Sequence, residues 1–126
     1  MYHVGIERAF SAEHSLPMLP NPDEQRPHRH TYRLQVELFG DTLDDLGFLI
    51  DITELEAELD KLQTRYENVY LNELEPFQDR APTLEVFSDV IATTLVRRFT
   101  GKGLCRLRVT LWESDAAWAG CERELS

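Results

Sequence analysis

The chain has 126 residues and a formal net charge of −10, with 42% hydrophobic and 29% charged side chains, a length that suits one domain over 1–126 with a sizeable core. The acidic balance removes the usual basis of nucleic-acid binding, neutralisation of phosphates by Lys and Arg, while a small anionic substrate in a locally basic cleft stays open. No apolar run approaches the roughly 20 residues of a membrane span; two cysteines, and an N-terminus without a basic start or apolar core, predict a reducing, cytoplasmic setting.

In 2–14, Val4, Ile6, Phe10, Ala12 and His14 share one parity and Glu7, Ser11 and Glu13 the other, which predicts a strand whose apolar side is broken by Arg8. The stretch 15–27 carries four prolines and reads as a long loop that holds neither helix nor strand. From 28 to 39, His28, His30, Tyr32, Leu34, Val36 and Leu38 alternate with Arg29, Thr31, Arg33, Gln35 and Glu37, a second strand. A short segment around 48–50 leads to Thr53, which with Glu56 forms a capping-box pattern. Leu55, Leu59, Leu62 and Tyr66 follow as the buried stripe of a helix. A second helix opens at Pro82 and Thr83, carries Val86, Phe87, Val90, Ile91 and Leu95, and stops at Gly101 and Gly103. Cys105, Leu107, Val109, Leu111 and Glu113 then alternate with Arg106, Arg108 and Thr110, so Cys105 is expected in the core row. A last strand is expected over 118–124. The order predicts an α+β fold, a four-stranded antiparallel sheet with two helices packed on one face.

Three histidines fall on core-facing parity. His28 and His30, two apart on a strand, project to one face, and the neighbouring strand ends at His14. Zinc accepts imidazole nitrogens, and a catalytic zinc site has three protein ligands with a position left open. The triad therefore reads as a metal site, beside the plainer reading of core or surface histidines. A purely structural zinc site lacks its fourth ligand. His3 is off this parity and reads as solvated.

The segments FSAEHSLP, HRHTYRLQVELFG, GFLIDITEL, PTLEVFSDVI and LWES resemble successive landmarks of the 6-pyruvoyl-tetrahydropterin synthase and 6-carboxytetrahydropterin synthase family, over nearly the whole length. The resemblance implies a T-fold that oligomerises into a barrel, with a homohexamer of two trimers and active sites at subunit interfaces. It implies a catalytic zinc on His14, His28 and His30. It also implies that Glu113 anchors the ring of a pterin substrate, and that Thr83 and Glu85 line the same pocket. A lone carboxylate ending an apolar row suits that role, because a buried carboxylate needs donors; a strand-end glutamate and an N-cap threonine are the plainer alternatives.

Three departures from the family pattern stand out. No cysteine precedes the histidine pair; Glu24, four residues before His28, occupies the place of the thiol, as in a branch resembling an activity that cleaves dihydroneopterin triphosphate to a 6-hydroxymethyl pterin. A solvated acidic loop residue is the alternative. The family's Asp-His pair appears as Glu67 and Asn68, and asparagine cannot relay a proton as histidine does, which leaves Glu67 as the second candidate catalytic carboxylate. Arg29 replaces the glycine between the histidines and points away from them by parity. The reading is a zinc-dependent lyase acting on a dihydropterin side chain; the alternative is a non-catalytic pterin- or purine-like-ligand binder that keeps the zinc.

Overall fold

Two long strands frame the molecule, β1 (Tyr2–His14) and β2 (His28–Gly40). They pair antiparallel along their full length, from Tyr2 opposite Gly40 to His14 opposite His28. The computed structural model describes residues 1–126. β3 (Arg106–Trp112) runs beside β2 and β4 (Trp118–Glu124) beside β3, all antiparallel, so the sheet order follows the chain. Arg33 of β2 lies opposite Trp112 of β3, the last paired position, and His28–Tyr32 therefore project beyond β3.

Helices α2 (Ile52–Tyr66) and α3 (Leu84–Phe99) cover one face, α2 over β1 and α3 over β3 and β4. The alternation in the strands fills this layer: Phe10, Tyr32, Leu34, Val36, Leu107, Val109 and Leu111 are buried against Leu55, Leu59, Tyr66, Phe87, Ile91 and Leu95. Arg8 shares the inward parity, and its Nε donates to Asp60 Oδ1 of α2 at 3.0 Å, so its stem covers apolar surface while its charge stays paired.

Three expectations are corrected. The proline-rich loop contains a one-turn helix, α1 (Pro22–Gln25), capped by Asn21; a proline in the first turn gives up an N–H that is unpaired there anyway. Helix α2 starts before Thr53. Its cap is Asp51, whose Oδ1 accepts from the Thr53 hydroxyl at 2.7 Å and the Thr53 N–H at 3.0 Å. Those two bonds hold the Asp51 carboxyl below its ordinary value, the hydroxyl bond most strongly. Ahead of the short segment at 48–50, Asp44 Oδ1 accepts from the N–H groups of Leu46 and Phe48, each at 2.9 Å, in a turn with Gly47 at φ 91°. Cys105 precedes β3 and lies outside the core, its Sγ 3.5 Å from Asp41, and burial with the Asp41 carboxylate raises its pKa. Cys121 is the cysteine that packs against the core.

Gly120 on β4 faces Thr110. A Cβ there would stand 2.2 Å from the Val109 carbonyl oxygen, and backbone cannot yield as a side-chain tip does. Gly120→Ala is expected to cost about 2 kcal/mol, read as a lower denaturant midpoint at unchanged slope.

Candidate metal centre

The hairpin register brings the three imidazoles together. His14 ends β1 opposite His28, and His30 lies opposite Ala12, so inward parity turns all three rings to the helix side. Ring centroids are 4.5 Å apart for His14 and His28 and 5.0 Å for the other two pairs. One ligand nitrogen from each lies within 4.8 Å of the others.

Backbone carbonyls orient two of the rings. His14 Nδ1 is 2.9 Å from the Pro82 carbonyl oxygen and His28 Nδ1 is 2.9 Å from that of Arg26. A carbonyl only accepts, so each Nδ1 carries the proton and each Nε2 presents a bare lone pair. Both Nε2 atoms are buried without a hydrogen-bond partner. Buried acceptors normally find a donor, and imidazoles held by Nδ1–H bonds to carbonyls are how proteins present nitrogen ligands to a metal. The donor set fits one zinc ion. Burial lowers the pKa of His14, and the Pro82 bond opposes this in part; the neutral form is the one a metal takes.

Two carboxylates approach the triad. Glu24 Oε2 lies 3.5 Å from His28 Nε2; the Leu16 N–H donates to the Glu24 carbonyl at 2.7 Å and draws α1 toward the end of β1. Glu113 Oε2 lies 3.8 Å from His30 Nε2. Glu113 follows β3, where β2 runs on alone, and it shares a cavity of about 600 Å³ with Arg29, His30, Tyr32, Arg33 and Trp112. The larger concavity, about 750 Å³, lies at the other end of β1 against the 43–52 segment. It holds none of the triad, so the chemistry is assigned to the smaller one.

The remaining predicted residues are dispersed. Thr83 caps α3 by accepting from the Val86 N–H at 3.1 Å, directly after the carbonyl that orients His14. Glu85 is exposed on the first turn of α3. Glu67 accepts from the Ser11 N–H at 3.3 Å at the outer edge of β1, and does not join the histidines. Asn68, at φ 61°, donates its N–H to the Ser11 carbonyl and accepts from Arg29, which lies on the face away from the triad as parity predicts. His3 is exposed and stacks on Phe39.

Sequence reasoning missed the carbonyls of Arg26 and Pro82, which carry no residue-type signal. It also missed Asn72, whose side chain accepts from the Ser15 N–H and donates to the Ser15 carbonyl, both at 2.9 Å, and so clamps the chain just after His14.

Known proteins resemble the chain in sequence and in fold. A 6-carboxy-5,6,7,8-tetrahydropterin synthase of Bacillus subtilis is 35% identical over 94 residues, covering 71% of this chain and 62% of that one. A protein of Archaeoglobus fulgidus, provisionally named for the same activity, is 28% identical over 120 residues, covering 95% of each. Among solved structures, 6-pyruvoyl tetrahydropterin synthase of Caenorhabditis elegans superposes with a TM-score of 0.78 at 22% identity, covering 98% of both chains. That of Plasmodium vivax, in a variant with cysteine in place of a catalytic glutamate, does so with a TM-score of 0.78 at 15% identity over the same share. The family model for 6-pyruvoyl tetrahydropterin synthase matches residues 3–124, and the chain belongs to that family.

Proposed function

We propose that the protein is a zinc-dependent lyase acting on the side chain of a dihydropterin such as 7,8-dihydroneopterin triphosphate, with a carboxylate, Glu24, replacing the usual cysteine. The observation that carries this reading is the pair of buried, partnerless Nε2 atoms of His14 and His28 with the Glu24 carboxylate 3.5 Å from the second. Zinc held by His14, His28 and His30 would polarise the side-chain oxygens and stabilise negative charge as the bond breaks. Glu24 removes the proton, as a general base within reach of a ligand seated at the triad. Glu113 accepts from the amino and ring N–H groups of the pterin, a pairing stronger than a neutral hydrogen bond; Thr83 and Glu85, at the start of α3 and outside the Glu113 cavity of the single chain, would meet the ligand from the His14 side. The catalytic glutamate in the name of the Plasmodium vivax variant supports a carboxylate in this role.

Sheet edges support a homo-oligomer, a hexamer in this reading. β1 and β4 are both edge strands, and unpaired edges invite pairing with another copy. Glu67, bound at the β1 edge, would then serve a site across a subunit boundary. Two free thiols, Cys105 and Cys121, suit a reducing cytoplasm, and no helix is long and apolar enough to cross a membrane.

One observation favours the second reading, a pterin binder without turnover: within the chain Glu67 and Asn68 are held by Ser11 and Arg29 rather than by the triad. Incubating zinc-loaded protein with 7,8-dihydroneopterin triphosphate separates the two. Side-chain cleavage to a 6-hydroxymethyl pterin, followed by mass spectrometry, is the expected result; tight pterin binding with intact substrate, while an active family member consumes it, would leave the binder.

A further inference from the structure

Four buried side-chain polar atoms lack a hydrogen-bond partner: Nε2 of His14 and of His28, and the hydroxyls of Tyr32 and Tyr66. A metal accounts for the two nitrogens. It does not account for a neutral phenol, which is a donor as well as an acceptor and is destabilising when buried unpaired. Tyr32 is 1% exposed. Its ring stands edge-on to His30 and His14, with centroids 5.7 and 6.4 Å away, and its other ring neighbours, Phe10 and Phe87, offer no acceptor. It lines the same cavity as His30 and Glu113, where β2 runs past the end of β3.

We infer that the Tyr32 hydroxyl is a specificity-determining hydrogen-bond donor to a side-chain oxygen of the pterin, holding the ligand between Glu113 and the histidines. The inference rests on the pterin reading above. In that reading Glu113 takes the ring edge, so an acceptor close to His14 and His30 belongs to the hydroxylated side chain. A site that offers a buried donor discriminates against ligands without the matching acceptor. Tyr66 is the natural control: its hydroxyl is equally unpartnered, but its ring packs on Phe10 and Phe87, with centroids 6.0 and 4.9 Å away.

The test titrates zinc-loaded wild type, Tyr32→Phe and Tyr66→Phe with neopterin, whose side chain is hydroxylated, and with pterin, which has no side chain. Calorimetry is expected to show neopterin binding to Tyr32→Phe about tenfold more weakly, with pterin affinity and zinc content unchanged. Loss of an unpaired hydroxyl should leave the Tm of Tyr32→Phe equal to or above that of wild type. Tyr66→Phe should match wild type for both ligands. Equal neopterin affinity in Tyr32→Phe and wild type overturns the inference alone. Equal weakening for both ligands does the same, because it signals disturbed packing, as does a Tm drop of several degrees, which would mean that the hydroxyl already has a partner. Wild type that binds neither ligand overturns the pterin reading and this inference together.

Discussion

Replacing His14 with alanine is expected to take bound zinc from about one ion per chain to none that survives gel filtration. Metal analysis of protein purified without chelator reads this directly. His14 is the most buried of the three, 2% exposed, and the Pro82 carbonyl fixes its ring. Losing a hydrogen-bonded partner behind a ligand costs roughly 10–100-fold in metal affinity; losing the ligand itself costs more. His3→Ala is the matched control and should keep its zinc, since His3 stacks on Phe39, which pairs with it near the far end of the hairpin. Zinc retained at full stoichiometry in His14→Ala would remove the basis of the metal centre.

The same residue carries a pH signature in metal-free protein. Burial holds the His14 pKa below its ordinary 6.5, so the unfolded chain takes up a proton that the folded chain refuses. Stability is therefore fully present above pH 6.5 and falls as pH drops from there toward the folded value. Denaturant midpoints measured in chelator at pH 7.5 and 5.5 should fall further for wild type than for His14→Ala. An identical fall in both would mean that the ring titrates freely.

Glu24→Gln is expected to reduce turnover by about 10²–10⁴-fold while zinc content and pterin affinity stay near wild type. Glutamine keeps the shape and the accepting oxygen but cannot take a proton. The change leaves α1 in place, because Leu16 bonds to the Glu24 backbone carbonyl and Asn21 supplies the cap. Steady-state kinetics with parallel calorimetry reads both halves. Unchanged turnover would make Glu24 a solvated loop acid, and lost zinc would make it a metal ligand rather than a base.

Much of this architecture was legible in the order of residues. Period-two alternation in 2–14, 28–39 and 105–111 marks strands because side chains on a pleated backbone alternate faces, and the stripe from Leu55 to Tyr66 marks α2 because i, i+3 and i+4 share a helix face. The same parity singled out His14, His28 and His30, since a polar ring on an apolar row needs a reason to be there. Local competition was harder to read: Asp51 and Thr53 both suit a cap, and Asp51 holds it because its carboxylate takes two bonds from Thr53.

What the chain order by itself determined is the residue chemistry and its parity: three imidazoles on one inward parity, Glu24 four residues before His28, and Asn68 directly after Glu67. Tertiary structure alone decided which nitrogen His14 and His28 present, that Glu24 and Glu113 reach the triad while Glu67 stays at the β1 edge, and that Tyr32 is buried with its hydroxyl unpaired. The reason is that parity is a property of one strand. Tautomer, approach and orphaned donors depend on carbonyls and rings far apart in sequence, Pro82 against His14 and Phe87 against Tyr32, which meet only when the helices close on the sheet.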